Sequence, residues 1–207
     1  GPDSVGVTVE AQGSDGLPTF VMSGLADSAC RQAPDRVRPA IRNLGVTLPA
    51  QRWTINLSPA GLPKVGSGLD LAIATALLAS EAHIDPRLVG RVVHIGEIGL
   101  DGTVRAVHGV LPLVVAAAAA GVPEVLVCAA NAAEASLVTG IEVHPVRTLD
   151  EVRAFYSERA RGGRLRLLRP PADDPEPGPA PDLSEVAGQA QARAALEVAA
   201  AGGHHLL

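Results

Sequence analysis

The sequence predicts an α/β fold of the α+β type, in which helices pack on a mixed β-sheet. Near the N-terminus, short stretches alternate apolar and polar residues, as half-buried strands do. Residues 52–57 form another such stretch, which leads through a glycine-rich loop into a segment with helical apolar spacing. The C-terminal half then alternates strand-like and helix-like segments. Hairpins followed by alternating units favour a mixed sheet covered by helices.

The first two strands are predicted to form a hairpin. Residues 5–11 alternate valines with other residues, and a Ser-Asp-Gly turn leads to a returning strand at residues 17–22. A helix follows up to Leu44, with Asp27 or Ser28 as its N-cap. Prolines inside this segment are expected to break or shift the helix, and the glycine after Leu44 ends it.

Residues 56–79 are where a functional site is sought first. A strand, a glycine-rich loop and a helix N-terminus bring unpaired N–H groups and the positive end of a helix dipole together, which favours anions and nucleophiles. The loop also holds the only lysine of the chain. We take Lys64, Gly66, Ser67 and Asp70 as the candidate contact residues of this loop.

The rest of the first domain is predicted to alternate strands and helices. Residues 100–103 have the composition of a tight hairpin turn. Thr148, with Glu151 three residues later, forms a capping box for a last helix that fades near Ser157. The other predicted strands are residues 91–96, 104–107, 124–128 and 141–146, and the other predicted helices are residues 110–120 and 131–138.

Composition limits the classes of protein to consider. Of 207 residues, 47% are hydrophobic and 2% aromatic, so we expect one core of mostly Ala, Val and Leu plus an appendage. The formal net charge of −5 argues against a broad nucleic-acid surface without excluding a local patch. Cys30 and Cys128 lack metal or disulfide-framework spacing, which favours reduced thiols and a cytoplasmic location. No apolar run reaches the roughly eighteen residues of a membrane span, so no membrane contact is expected.

The composition changes abruptly after the last predicted helix. Five arginines between positions 159 and 169 are followed by acidic residues and closely spaced prolines up to position 181. Such a stretch is too polar and too proline-rich to pack a core, so it is predicted to be a linker. A new amphipathic helix and a strand follow. The predicted division is therefore a domain at residues 3–158, a linker at residues 159–181 and the start of a second domain at residues 182–207.

Four sequence blocks in order carry a family resemblance. They are GLPTFVMSGLADSA (16–29), NLSPAGLPKVGSGLDLAIA (56–74), HIGEIGLDGTVRAVHGVLP (94–112) and DLSEVAGQAQARAALEVAAAGGHHLL (182–207). Together they resemble the Mg-chelatase-like AAA+ ATPases of the ComM and YifB type. The resemblance implies that the first domain has the fold of the Lon proteolytic domain and that the last block opens a truncated AAA+ domain.

The resemblance also implies a function for the whole protein. It would be a hexameric ATPase that uses ATP and Mg²⁺ and acts on DNA, as in branch migration during natural transformation. The last block resembles the AAA+ segment beside the adenine, which implies Val186, Gly188 and Gln189 as nucleotide contacts. The sequence contains no G-x-x-x-x-G-K-[ST] phosphate loop, so residues 1–207 alone are expected to bind no cofactor.

Peptidase activity is the question that the Lon resemblance raises, because the Lon domain uses a Ser–Lys dyad. The Lon segment P-K-x-G-P-S-A-G compares with residues 63–70, where the serine position holds Gly68. The Lon segment G-G-x-K compares with residues 108–111, where the lysine position holds Leu111. The resemblance therefore implies a non-catalytic domain for assembly or substrate handling. An active Lon-like serine peptidase and a metal-chelatase-type ATPase subunit are the alternatives.

Several candidate residues also have plain structural interpretations. Ser67 is one position early for the dyad and is expected to point elsewhere. Lys64 is expected to be hydrated and charged. An acidic partner, either Asp70 or a neighbouring subunit, is favoured, and phosphate or a backbone carbonyl are the other possible contacts. Asp70 itself suits a helix N-terminus. His94 and Glu97, three apart on a strand, face opposite sides, and no Cys/His pattern has metal spacing, so no metal site is predicted.

Overall fold

The computed structural model describes residues 6–163, 182 and 188–203, which belong to two compact units, residues 1–171 and 172–207. The strands of the first unit are β1 (Thr8–Ser14), β2 (Thr19–Ser23), β3 (Arg52–Ser58), β4 (Val92–Ile95), β5 (Glu97–Ile98), β6 (Val104–Arg105), β7 (Glu124–Cys128) and β8 (Glu142–Val146). Its helices are α1 (Ser28–Arg31), α2 (Ala33–Asn43), α3 (Asp70–Ser80), α4 (Pro86–Val89), α5 (Val110–Ala119), α6 (Ala132–Ala135) and α7 (Leu149–Ala160), with a 3-10 turn at Ala129–Asn131.

The first sheet has the order β1-β3-β2, with β3 antiparallel to β1 and parallel to β2. The predicted hairpin between the first two strands is therefore wrong, because β3 lies between them. The buried residues of β3, Trp53, Ile55 and Leu57, alternate along the strand and are at most 1% exposed. The central position suits this strand because both of its edges are then paired. Gly24, the residue after β2, lies so close to β3 that an added Cβ would be 2.0 Å from the Leu57 carbonyl oxygen.

Helices α1 to α3 pack with this sheet to form the larger core. Asp27 is the N-cap of α1, and its carboxylate accepts a hydrogen bond from the Cys30 amide at 2.7 Å. The predicted helix is broken after Arg31, and Pro34 lies in the first turn of α2, where its missing N–H costs nothing. Gly45 follows α2 with a φ of +74°, so its predicted role as the helix stop is confirmed.

A second sheet, β4-β7-β8, is wholly parallel and lies between two cores. Along β7, Val125 and Val127 face a smaller core with α5 and α6, while Leu126 and Cys128 face the larger core with α7. The predicted tight hairpin is confirmed as β5 and β6. The strands thus form a mixed sheet, a parallel sheet and a small hairpin, so the expectation of one mixed sheet is corrected while the α/β class is confirmed.

Two predicted helices differ from the structure at their ends. The Thr148 hydroxyl caps α7 by accepting from the Glu151 amide, whereas the Glu151 carboxylate accepts from the Arg147 amide rather than from Thr148. This helix continues past Ser157 to Ala160, so the first two residues of the predicted linker are helical. The helix predicted at residues 131–138 is only the 3-10 turn and the single turn of α6. Linker residues 161–163 follow the helix, and residues 164–181 lie outside the described residues.

The second unit contains α8 (Ala190–Gly202), which confirms the predicted helix. Gly203 follows it in the left-handed conformation, with a φ of +63°, as expected for a helix C-terminus. The strand predicted at the last residues lies outside the described residues. Among residues that the structure describes, no helix is long and apolar enough to cross a lipid bilayer.

Candidate functional site

The loop between β3 and α3, residues 59–69, is held against the segment that precedes α1. We call it the motif loop. Lys64 donates its amide hydrogen to the Leu25 carbonyl at 3.0 Å, and its own carbonyl accepts from the Asp27 amide at 2.9 Å. These two bonds form a short parallel bridge between Lys64 and Ala26. The position of the loop is thus set by backbone hydrogen bonds.

Asp27 anchors the same loop with its side chain. One carboxylate oxygen accepts from the Cys30 amide at 2.7 Å, and the other accepts from the Gly66 amide at 2.9 Å. These backbone hydrogen bonds, to Cys30 and Gly66, lower the pKa of Asp27. Gly66 has a φ of +83°, a conformation that glycine adopts without strain. The sequence predicted the capping role of Asp27 but missed its contact with the motif loop.

Lys64 is buried, with only 3% of its surface exposed, so the expectation of a hydrated lysine is wrong. Its Nζ donates to the carbonyl oxygen of Pro59 within the same loop, which is the backbone-carbonyl alternative and not the favoured acidic partner. The predicted ion pair between Lys64 and Asp70 is wrong, because Asp70 is paired with Arg36. The motif loop thus covers the Lys64 side chain. Two neighbouring apolar residues, Val65 and Leu25, are instead exposed, at 78% and 59%.

Asp70, the first residue of α3, is buried and ion-paired with Arg36 of α2. Arg36 donates from Nε at 2.6 Å and from its terminal NH2 group at 2.9 Å, and that same NH2 group also reaches the Ala29 carbonyl. Asp70 accepts a third hydrogen bond from the Ile98 amide at 3.2 Å. Burial raises the pKa of Asp70, while the bonds from Arg36 and Ile98 oppose that rise. Asp70 therefore ties three elements together and does more than complement a helix dipole.

Ser67 is hydrogen-bonded to Glu97 of β5. The neighbour of its hydroxyl is therefore a carboxylate and not the amine of a lysine. The Ser67 hydroxyl donates to the Glu97 carboxylate, whose other oxygen lies 4.0 Å from Arg105. Neighbouring backbone bonds hold the two segments together, because Gly96 donates to the Gly68 carbonyl at 3.1 Å. The prediction that His94 and Glu97 share one strand is wrong, because His94 lies in β4 and Glu97 in β5. Their side chains have different partners, Tyr156 for His94 and Ser67 for Glu97.

The structure divides the four candidate residues, three in the motif loop and Asp70 at the start of α3, into two groups. Lys64 and Gly66 contact the segment before α1, while Ser67 and Asp70 contact β5. Of the two positions that would hold a Lon-type dyad, Gly68 has no side chain, and Leu111 lies in the first turn of α5, where its amide donates to Glu134. Within the described residues, the hydroxyl of Ser67 and the amine of Lys64 have separate partners. Ser67 and Lys64 therefore do not pair with each other.

The nucleotide contacts implied by the resemblance lie in the second unit. Gly188 and Gln189 precede α8, and both have positive φ, 72° and 49° respectively. Val186 lies outside the described residues. The structure thus places two of the three residues at a helix N-terminus, and their role in nucleotide binding stays a prediction.

Two histidines of the parallel sheet have defined surroundings. His94 is buried, and its Nε2 lies 2.6 Å from the Tyr156 hydroxyl. Burial lowers the pKa of His94 to about 4, so this side chain is neutral at physiological pH. His144 lies near Glu124 and Glu142, and the possible ligand atoms of these three residues are all within 4.8 Å of one another. The sequence predicted no metal site, because strand register, not sequence spacing, brings these three residues together.

Comparisons with known proteins identify relatives of both units. Residues 9–131 match the family described as "Subunit ChlI of Mg-chelatase", and residues 182–207 match "Magnesium chelatase, subunit ChlI". The chain is 45% identical over 207 residues to "Uncharacterized protein Rv2897c" of Mycobacterium tuberculosis, covering all of this chain and 40% of that protein. It is 36% identical over 202 residues to "Competence protein ComM" of Haemophilus influenzae, covering 97% of this chain and 40% of that protein.

A weaker match supports the predicted Lon-like fold. The chain is 33% identical over 181 residues to "Lon protease 1" of Sorangium cellulosum, which covers 82% of this chain and 21% of that protein. The resemblance predicted from the four sequence blocks is therefore confirmed. The chain spans about two fifths of the length of the first two relatives, at 40% of each.

Proposed function

The chain belongs to the family described as subunit ChlI of Mg-chelatase, and on that premise we propose that it is the non-proteolytic N-terminal part of an ATP-dependent AAA+ motor acting on DNA. The complete motor would use ATP and Mg²⁺, assemble as a hexameric ring in the cytoplasm and drive branch migration during natural transformation. The first unit would support assembly or substrate handling. The second would contribute Val186, Gly188 and Gln189 to the nucleotide site.

The observation that carries the non-proteolytic role is how the motif loop uses its polar groups. A Ser–Lys dyad needs a hydroxyl within hydrogen-bond reach of an uncharged amine. Here the Lys64 amine is bonded to the Pro59 carbonyl, and the Ser67 hydroxyl is bonded to Glu97. Gly68 and Leu111, at the positions that resemble the dyad, have neither hydroxyl nor amine. These contacts support a loop that shapes the domain instead of cleaving peptides.

Two lines of support bear on the motor and its substrate. The relative from Haemophilus influenzae carries the name "Competence protein ComM", which favours a role in handling DNA. The family description instead names the subunit of a metal chelatase, which is the alternative for the complete protein. The two functions require different activators of ATP hydrolysis, namely branched DNA for a DNA motor and a porphyrin substrate for a chelatase.

The test uses the full-length protein with Mg²⁺ and measures ATP hydrolysis with branched DNA, duplex DNA or a porphyrin. We expect branched DNA to stimulate hydrolysis most, because a branch-migration motor engages a junction. Stimulation by the porphyrin alone would overturn the proposal in favour of the chelatase alternative. Equal, unstimulated rates in all three conditions would overturn the DNA role.

A variant of the motif loop tests the assembly role of the first unit. Val65→Asp places a charge on the exposed apolar part of the loop, where the side chain is 78% exposed, so the fold should tolerate it. We expect the full-length variant to form fewer hexamers by analytical ultracentrifugation. Arg87→Ala is the control, since Arg87 is exposed and pairs only with the neighbouring Asp85 in the described part of the chain. Equal hexamer formation by both variants would contradict the assembly role of this loop.

A serine hydrolase is the second candidate, and the contact between Ser67 and Glu97 is the observation that favours it. A carboxylate can accept a serine proton, although an ordinary carboxylate is mostly too weak a base at neutral pH. A fluorophosphonate probe and unfolded casein test this directly. We expect neither labelling nor cleavage. Labelling that disappears in both Ser67→Ala and Glu97→Gln would establish the hydrolase and overturn the non-proteolytic function.

A further inference from the structure

The starts of strands β7 and β8 bring together three side chains that are common metal ligands. These strands are parallel and in register, with Glu124 opposite Glu142 and Leu126 opposite His144. Side chains two residues apart on a strand share one face, so His144 lies on the same face as Glu142. We call Glu124, Glu142 and His144 the strand-start cluster. The two glutamates are eighteen positions apart in the sequence, so only the parallel pairing makes them neighbours.

The distances within the strand-start cluster suit a single ion. The His144 Nε2 lies 2.8 Å from a Glu124 oxygen and 3.9 Å from a Glu142 oxygen. Ligand atoms bound about 2.0–2.2 Å from one zinc ion are roughly 3–4 Å apart. The 2.8 Å separation is a hydrogen bond between His144 and Glu124, which a bound ion would replace. Side-chain rotations that open this bond would bring all three atoms to one ion.

The surroundings hold two of the ligands firmly and leave the third accessible. The side chains of His144 and Glu124 are 9% and 15% exposed, whereas that of Glu142 is 53% exposed. The ring of Phe155 in α7 packs against the His144 ring, with centroids 4.8 Å apart. A fixed imidazole with an exposed carboxylate gives an ion a preformed partner and an entry path.

Arg159 of α7 provides the positive charge beside the strand-start cluster. Its guanidinium forms an ion pair with Glu124 and lies over the Phe155 ring, 4.3 Å from the ring centroid. A bound cation would compete with the guanidinium for the same carboxylate. Since Arg159 lies in the last turn of α7, binding of an ion would change the charge contacts at the end of that helix.

We propose that the strand-start cluster binds a divalent first-row transition-metal ion, with Zn²⁺ as the ion of choice, and that Arg159 is a built-in competitor for the site. One imidazole nitrogen and two carboxylate oxygens, with water completing the coordination, form a ligand set that suits Zn²⁺ or Mn²⁺. The same set without thiolates does not suit Cu(I). Because the cluster is remote in sequence from the motif loop, the proposal does not depend on the proposed function.

The experiment measures Zn²⁺ binding to the chain after removal of metal with a chelator. Because two adjacent histidines lie near the end of the given sequence, all variants carry His204→Ala and His205→Ala to remove that competing site. Isothermal titration with Zn²⁺ should show one site of micromolar or tighter Kd. Glu124→Gln and His144→Gln should each weaken it at least about tenfold, while His83→Gln, the matched control, should not. Mg²⁺ should bind much more weakly, because it prefers oxygen ligands and near-ideal octahedral geometry.

The competing arginine gives a prediction of opposite sign, which an unfolded variant cannot imitate. Arg159→Gln should tighten Zn²⁺ binding about fivefold, because the Arg159–Glu124 ion pair, with side chains 19% and 15% exposed, no longer competes for Glu124. Arg153→Gln, on the same helix but paired with Asp150, is the control and should leave the affinity unchanged. The proposal is overturned if no site tighter than about 100 µM is found, if Glu124→Gln and His144→Gln bind as tightly as the parent, or if Arg159→Gln binds more weakly.

Discussion

The motif loop and the strand-start cluster differ in how they are built and in how they are recognised. The motif loop is visible in the sequence as a glycine-rich segment with a single lysine, yet Lys64 bonds within the loop and Ser67 bonds to Glu97 of the same domain. The strand-start cluster has no sequence pattern, yet it leaves an exposed carboxylate beside a buried histidine. The comparison shows that a conspicuous sequence segment can serve the architecture, while a potential ligand site can come from strand register alone.

The largest expected effect is at Asp70, which directly follows the motif loop. If this region stabilises the fold, replacing Asp70 should destabilise the domain. Asp70→Ala leaves the Arg36 guanidinium partly buried without its carboxylate, so we expect a loss of about 3–5 kcal/mol in the free energy of unfolding. Urea denaturation followed by circular dichroism measures it. The double variant Asp70→Ala, Arg36→Ala should lose less than the sum of the two single variants, because the pair is coupled. Additive losses would show that the ion pair does not hold α2 and α3 together.

The next effect is a pH dependence that belongs to the parallel sheet and not to the motif loop. The pKa of His94 is lowered to about 4 in the folded state, against an unperturbed value of 6.5. Protonation therefore favours the unfolded chain, so the contribution is complete above about pH 6.5 and is lost as the pH falls towards 4. Above about pH 6.5, the lowered pKa of His94 corresponds to about 3 kcal/mol in the free energy of unfolding. In the His94→Gln variant, the loss of unfolding free energy between about pH 6.5 and pH 4 should be smaller by this amount. An unchanged pH dependence would exclude His94 as its cause.

A smaller, local effect is expected at Asp27. Asp27→Ala removes the hydrogen bonds that the carboxylate accepts from the amides of Cys30 and Gly66. We expect faster hydrogen exchange at both amides, with little change at the backbone amides of β7. Asp15→Ala, in the exposed turn before β2, is the control. If the Gly66 amide exchanges at the parent rate, the carboxylate does not hold the motif loop.

The smallest effect is expected at the exposed member of the strand-start cluster. Glu142 is 53% exposed and lies 3.9 Å from His144, so Glu142→Gln should change the free energy of unfolding by less than about 0.5 kcal/mol. Thermal unfolding in the absence of metal measures this. A loss comparable to that of Asp70→Ala would mean that the cluster, like the motif loop, mainly stabilises the fold.

Sequence patterns predicted local structure well where short-range chemistry decides it. The helix that begins near Asp70, the Gly45 stop, the cap at Thr148 and the strand Glu124–Cys128 depend on neighbours within a few residues, and all are confirmed. The hairpin between the first strands was wrong, because turn residues permit a reversal but do not decide which strand pairs with which. The extent of α7 was underestimated, since Arg159 is stabilised by Glu124 from a distant strand.

The candidate site shows the same division between residue identity and residue environment. The sequence identified the motif loop and the absence of a serine and a lysine at the dyad positions, because these are matters of residue identity. It did not predict that Lys64 is buried or that Arg36 neutralises Asp70, because both depend on packing between segments about thirty residues apart in the chain. Glu97 lies in one of the recognised blocks, but only the structure connects it to Ser67.

By itself, the sequence determined the family, the α/β class and the local boundaries of most elements, because periodicity, caps and motifs are encoded within short windows. The tertiary structure decided the insertion of β3 between β1 and β2, the burial of Lys64 and the meeting of Glu124, Glu142 and His144. The physical reason is that paired strands and ion pairs join segments that are far apart in the chain. Which segments meet depends on how the whole domain buries its surface, and no local segment specifies this.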